Sequence, residues 1–208
     1  LPERVFDVTE PAYGARGDGY TDDTAAIQAA LDDCSAAGGG QVLLPAADTP
    51  DCDSGYGRRY LVTNLRLHSN TDLHIPAGAV LWQSDDPAHY RILPRFGHNV
   101  SMTGVNWPAN HSSGNYPLIY AYRERNIRIT GGGIIRMCDT ESRSRDGYFH
   151  YIGDNVCIGC CDRMHTIPVG MSECENVEVS DVSLIRSSAP YLIINGMKRV
   201  FVGGVRLD

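Results

Sequence analysis

The sequence predicts an all-β solenoid, a stack of short strand-bearing coils with one short helix capping its start. Two patterns carry this expectation. Short apolar-polar-apolar strands recur along the chain, each followed by a turn and a further apolar residue. Helical spacing of apolar residues occurs once, near the beginning.

The opening 45 residues are the easiest to read. Val5-Phe6-Asp7-Val8 alternates as a short strand, and Tyr13-Gly14-Ala15-Arg16-Gly17-Asp18-Gly19 is rich in turn formers. Thr21, Asp22 and Asp23 offer helix N-caps, and their acids suit the positive end of a helix dipole. Ile27, Ala30, Leu31 and Cys34 then fall at i, i+3, i+4 and i+7, one apolar face of a short helix. Gly38-Gly39-Gly40 stops that helix, and Gln41-Val42-Leu43-Leu44-Pro45 forms a strand closed by proline. Residues 46–59 form a loop rich in Asp, Gly and Pro that carries Cys52, placed to reach back to Cys34 as a disulfide.

From residue 60 the repeat takes over. Its apolar strand positions are Leu73, Val100, Ile127, Val177 and Val200, spaced by 27, 27, 50 and 23 residues. The spacing of 50 is read as two turns of the stack. Such a repeat buries one face of each coil against its neighbours, so no coil stands alone. The helix then shields the unpaired edge at the start. A doubly wound α/β fold needs amphipathic helices between the strands, and none is visible after residue 38. A β-sandwich also satisfies the short periodicity. Two long inserts interrupt the coils, at about 82–117 and 137–165, and inserts on a solenoid usually line one face.

Bulk properties limit the partners. Lys and Arg number 18 against 25 Asp and Glu, a net charge of −7, which argues against a nucleic-acid partner. No apolar run approaches membrane-spanning length. Leu1-Pro2-Glu3-Arg4 lacks signal-peptide character, so the expectation is a cytosolic chain or one whose signal has been removed. Seven cysteines leave at least one thiol outside any internal pairing. Cys157-x-x-Cys160-Cys161 invites a zinc reading, but only the single Cys174 follows where a second close pair is needed. No metal or other cofactor is expected. Asn99-Val100-Ser101 and Asn110-His111-Ser112 fit the N-glycosylation pattern.

The residues also resemble a known superfamily, the pectin-lyase-like right-handed parallel β-helices. The resemblance rests first on Phe6-Asp7-Val8, Tyr13-Gly14-Ala15-Arg16-Gly17-Asp18-Gly19, Asp22-Asp23-Thr24-Ala25-Ala26-Ile27-Gln28, Gly38-Gly39-Gly40 and Val42-Leu43-Leu44-Pro45. Hydrolases, lyases, epimerases and phage tailspikes share that opening, so it indicates fold rather than function. Three later stretches resemble coils of the polygalacturonase-family glycoside hydrolases. They are Leu67-His68-Ser69-Asn70-Thr71-Asp72-Leu73-His74, then Pro117-Leu118-Ile119-Tyr120-Ala121 with Asn126-Ile127-Arg128-Ile129-Thr130-Gly131-Gly132-Gly133, and Cys174-Glu175-Asn176-Val177-Glu178-Val179 with Ser187-Ser188-Ala189-Pro190-Tyr191-Leu192.

That resemblance implies a secreted, extracellular or periplasmic enzyme that hydrolyses pectic or related glycans with inversion. The family's catalytic motifs are Asn-Thr-Asp, a paired Asp-Asp, Gly-His-Gly and Arg-Ile-Lys, and on this alignment all four fall beyond Asp208. Hence no catalytic residue is assigned within the chain. Remaining coils, or a second chain, are expected to cover the C-terminal edge. A glycan-binding, tailspike-like β-helix without turnover is the alternative. A pectate-lyase-like enzyme is the third, disfavoured because no stacked Asp ladder for Ca²⁺ is visible.

Fragments of the catalytic motifs do occur earlier, as Asn70-Thr71-Asp72, Asp85-Asp86, Gly97-His98-Asn99 and Arg128-Ile129. Acid and base must flank one scissile bond. Asp72 and Asp85 are about half a coil apart in sequence, so these residues are read as solvated turns. Gly131-Gly132-Gly133 has no following Lys-Ser/Thr and is read as a turn rather than a phosphate loop. Arg16-Gly17-Asp18 mimics an adhesion tripeptide but belongs to the opening turn. Trp107 and His111, in the first insert, are the candidate substrate contacts, Trp107 through stacking on a sugar ring or else through packing the insert. Asp146 and Asp154, in the second insert, are read as surface turns, and His165 as a packed residue.

Overall fold

The computed structural model describes residues 3–47, 57–84, 116–137, 151–152, 156–157, 166–187 and 191–208. These residues build a right-handed parallel β-helix of three sheets, capped by one helix.

The first sheet contains β1 (Val5–Asp7), β3 (Gly40–Leu43), β6 (Thr71–His74), β9 (Arg125–Thr130), β14 (Glu175–Ser180) and β17 (Lys198–Gly203), in that order. The second contains β2 (Asp18–Asp22), β4 (Arg58–Val62), β7 (Ala79–Gln83), β10 (Ile134–Arg136), β15 (Ser183–Ile185) and β18 (Arg206–Leu207). The third contains β5 (Leu65–Arg66), β8 (Tyr116–Tyr122), β13 (Thr166–Ser172) and β16 (Leu192–Asn195). All strand pairs within these three sheets are parallel. Each coil visits the sheets in turn, so like strands stack one coil above another, about 4.8 Å apart.

The core follows from register. In the first sheet Val42, Leu73, Ile129, Val179 and Val202 align one above another. Tyr60, Leu81, Ile135, Leu184 and Leu207 align in the second, and Leu65, Ile119, Val169 and Leu192 in the third. These three apolar columns meet inside the stack and are fully buried through most of its length. Alternation within each strand sends every second residue inward, which is why the short apolar-polar pattern is legible.

The repeat length differs from the sequence expectation. Strand β6 pairs directly with β9, Leu73 opposite Ile129, and β9 pairs directly with β14, Ile127 opposite Val177. The spacing of 50 is therefore one turn, not two. Residues 99–105 lie outside the described residues, and no strand intervenes between β6 and β9 where that reading placed one.

Helix α1 (Thr24–Ala36) buries Ile27, Ala30, Leu31 and Cys34, the four positions its spacing selects. That face packs onto β3 and β5 at the start of the stack. The N-cap is Asp23, but its side chain does not cap the helix. Its carboxylate instead accepts from the backbone N–H groups of Arg16 and Gly17, at 2.7 and 2.9 Å. This ties the opening turn to the helix start. Burial pushes the Asp23 carboxyl up, against the pull of those two donors. The helix ends where Gly39, at φ 118°, donates to the Cys34 carbonyl and passes so close to Asn70 that a Cβ would stand 2.5 Å from its carbonyl oxygen. Cys34 itself is a free, buried thiol with Sγ 3.9 Å from Thr71 Oγ1, and burial pushes it up. The partner suggested for it, Cys52, lies outside the described residues.

Residues 131–133 form the turn from the first sheet to the second. Gly131 adopts φ 117°, and a Cβ there would lie 2.6 Å from the Ile75 carbonyl oxygen of the coil below. Strained backbone and overpacking act together, so Gly131→Ala is expected to cost about 2–4 kcal/mol. Urea unfolding checks this, and a loss below about 0.5 kcal/mol contradicts it.

Candidate functional site

The two long inserts leave the stack at the same corner. The first joins β7 to β8 and the second joins β10 to β13, each running from the second sheet to the third. Because β7 pairs with β10 and β8 pairs with β13, the inserts leave and re-enter on neighbouring coils. Two adjacent loops at one corner are the arrangement from which a solenoid builds a cleft wall. Within the second insert β11 (Tyr151–Ile152) and β12 (Val156–Cys157) form a short antiparallel pair.

The strands leading into the inserts are held firmly. Ser84 N–H donates to the Val62 carbonyl at 2.7 Å, and Met137 N–H to the Ile185 carbonyl at 3.1 Å. On the outer face just before the corner, Trp82 stands opposite Leu61 and Arg136 in register. The Arg136 guanidinium lies 3.8 Å from the Trp82 ring centroid and that of Arg59 lies 5.9 Å from it. Arg136 is buried. Such desolvated cation–π contacts stabilise by about 1–2 kcal/mol and fix both side chains at the root of the inserts.

Trp107 and His111, the candidate substrate contacts, lie within the first insert and outside the described residues. So do Asn99 and Asn110, with Asp85, Asp86, Gly97 and His98. Asp146, Asp154 and His165, of the second insert, are likewise outside them.

Two motif fragments are described, and both differ from their reading as solvated turns: Arg128 and Ile129 lie in strand β9, with Ile129 fully buried in the core. Asn70 sits in a turn with φ 63°, as expected. Asp72 is not a solvated turn residue: it lies in β6 and is 4% exposed. Its outward-facing carboxylate is enclosed by neighbouring strands. Oδ2 accepts from Gln41 Nε2 at 3.0 Å and lies 3.8 Å from the Arg128 guanidinium. Oδ1 accepts from Thr130 Oγ1 at 2.8 Å. Because that hydroxyl proton goes to Asp72, His74 Nδ1, 2.9 Å away, must donate to Thr130 Oγ1. Sequence reasoning missed this network because its members come from three different strands.

The network is not a pair of glycosidase carboxylates. Both oxygens of Asp72 are engaged. The other nearby acid, Glu178, pairs with Arg128 at 3.0 Å. The Ser180 hydroxyl, and with it the Arg128 guanidinium, holds Glu178 below the usual carboxylate range. A general acid for glycoside cleavage needs the opposite shift. Among the described residues no cluster of three or more His, Cys, Asp or Glu is arranged to hold a metal ion. No helix there is long and apolar enough to cross a membrane.

The fold is a capped right-handed parallel β-helix whose two long inserts leave from one corner. The chain is similar to several known proteins of this fold. An exo-poly-α-D-galacturonosidase from Dickeya chrysanthemi is 32% identical over 132 residues, covering 64% of this chain and 19% of that protein. A mannuronan C5-epimerase from Azotobacter vinelandii is 67% identical over only 36 residues, 17% of this chain and 3% of the epimerase. The chain thus spans less than a fifth of each of these relatives. Among solved structures, a hyperthermoactive exopolygalacturonase from Thermotoga maritima superimposes with a TM-score of 0.69 at 22% identity, over 100% of this chain and 47% of that one. A family 28 exopolygalacturonase from Yersinia enterocolitica does so with a TM-score of 0.64 at 20% identity, over 99% and 39%. No protein-family profile matches the chain.

Proposed function

We propose that this chain is the N-terminal portion of a polygalacturonase-like glycoside hydrolase, which cleaves pectic or related glycans by inverting acid–base catalysis. The observation that carries this is the 132-residue match to an exo-poly-α-D-galacturonosidase. It extends well beyond a short shared opening. The epimerase match, by contrast, is confined to 36 residues, and so short a segment suits a fold signal better than an activity.

In this reading the present coils supply the cap and the rigid platform, and the inserts form one wall of the cleft. Trp107 and His111, in the first insert, would meet the sugar, the indole by stacking on an apolar ring face. The acid and base belong to coils that follow Asp208. Action on a cell-wall glycan fits a secreted or periplasmic location, where Asn99 and Asn110 are candidate glycosylation positions.

The test is polygalacturonate digestion by the protein carrying the coils beyond Asp208, with residues 1–208 alone as the control. The longer protein is expected to release reducing ends without the absorbance of a new double bond, and the 208-residue chain to release none. Unsaturated products would replace the hydrolase with a lyase. Retention on the glycan with no product would favour a binding β-helix.

A further inference from the structure

A groove of about 780 Å³ runs along the outer face of the first sheet, away from the corner that carries the inserts. Its floor is a ladder of asparagines. Asn126 Nδ2 donates to Asn70 Oδ1 at 2.7 Å, and Asn176 Nδ2 donates to Asn126 Oδ1 at 2.9 Å. All three hold positive φ, at 63°, 56° and 55°, which sets each amide at the same place on its coil. An amide has two N–H donors and its oxygen two lone pairs. The middle rung therefore keeps one donor and one acceptor beyond those the ladder uses. Beside the floor stands the Arg128–Glu178 pair, and past it Phe201, which is 60% exposed. The Phe201 ring lies along its strand over Gly203, with Cζ 2.5 Å from where a glycine Cβ would be, so it takes the space a side chain there would fill.

These features choose a ligand chemistry. The cations are already neutralised, Arg128 by Glu178 and Asp72, and Arg199 by Glu175. A ligand rich in carboxylates gains little from them. A ligand rich in hydroxyls finds fixed donors and acceptors, and an apolar ring face finds an exposed aromatic. The polar rungs recur once per coil, about 4.8 Å apart. That interval is close to the advance of one sugar unit along an extended polysaccharide, so a linear glycan meets an equivalent contact at each step. We propose that this groove is a second glycan-binding site, which holds a linear polysaccharide parallel to the stack axis through its hydroxyls and stacks one ring on Phe201. This site is separate from the insert corner and does not depend on hydrolysis.

Affinity electrophoresis of the protein in gels containing fully methyl-esterified pectin, or polygalacturonate, tests it. Retardation by the esterified pectin is expected, changing less than twofold between low and high salt. Phe201→Ala is expected to weaken it at least fivefold, and Phe201→Trp to retain it. Phe201→Leu keeps an apolar side chain without a planar face and is expected to lose binding as alanine does, so a folding defect in the alanine variant leaves the test intact. No retardation, equal retardation of Phe201→Leu, or retardation only in polygalacturonate that salt abolishes would overturn the proposal. Reducing-end release is measured separately, so loss of the hydrolase reading and loss of this one are told apart.

Discussion

Replacing Tyr60 with alanine is expected to destabilise the β-helix by about 3–5 kcal/mol, the usual cost of emptying a buried aromatic site. Tyr60 is fully buried and heads the apolar column of the second sheet, above which Leu81, Ile135 and Leu184 align. Its hydroxyl donates to the Pro45 carbonyl at 2.8 Å, joining β4 to the segment that follows β3. Denaturant unfolding measures the loss, and a cost under about 1 kcal/mol would mean that the cavity closes without penalty.

The conservative change separates packing from hydrogen bonding. Tyr60→Phe keeps the ring and removes one hydrogen bond, so about 1 kcal/mol is expected at neutral pH. It also changes the alkaline response. Burial pushes the Tyr60 phenol well above its ordinary value of 10.0. A group raised on folding contributes stability in full below its unfolded pKa and loses it as pH rises above that point. Stability of the wild type should therefore fall above about pH 10, the unfolded phenol value. The phenols of Tyr13 and Tyr120 are shifted up as well and contribute the same sign. The readout is the difference between wild type and Tyr60→Phe, which should narrow as pH rises. A constant difference up to pH 11 would contradict the assignment.

The second large effect is expected at Asp72. Asp72→Ala leaves the Thr130 hydroxyl and the Gln41 amide without their acceptor and takes one of two carboxylates from Arg128. The expected cost is about 2–3 kcal/mol. Arg128 is 43% exposed, so water takes up part of its loss and the larger penalty of a fully buried broken ion pair does not apply. A cycle with Thr130→Val should show a coupling of about 1 kcal/mol between the two positions. A solvated turn residue would change stability by no more than about 0.5 kcal/mol, so the measurement discriminates between the two environments of Asp72.

That contrast shows why part of the site escaped the sequence. Asn-Thr-Asp reads as a turn because Asn and Asp commonly form turns, and Asn70 does so. Asp72 is two residues further on, and its burial depends on Gln41, Arg128 and Thr130. These lie 31, 56 and 58 residues away in the chain and come into contact only when β3, β6 and β9 stack. The asparagine ladder has the same origin. Each rung is an ordinary asparagine in sequence, and only stacking makes the three into a continuous polar strip.

The repeat was misread for a related reason. Strand alternation is local and survives any loop length, so Leu73, Ile127, Val177 and Val200 were all found on inward-facing strands. The number of residues per turn is not local. Closing a longer loop costs only slightly more, about 0.6 kcal/mol per doubling of its length, so a coil accepts a long insert without losing its register. Sequence spacing is then no measure of coil number, and the spacing of 50 turned out to be a single turn.

The sequence by itself determined the elements of this protein that rest on neighbouring residues. These are the cap helix with its face of Ile27, Ala30, Leu31 and Cys34, the glycines that end it, and the alternating strands of a capped β-helix. Tertiary structure alone decided which strands stack directly, that both long inserts leave from one corner, and that Asp72 is enclosed rather than solvated. The first set depends on backbone and side-chain preferences within a few residues. The second depends on contacts between coils, which exist only once the chain has closed on itself.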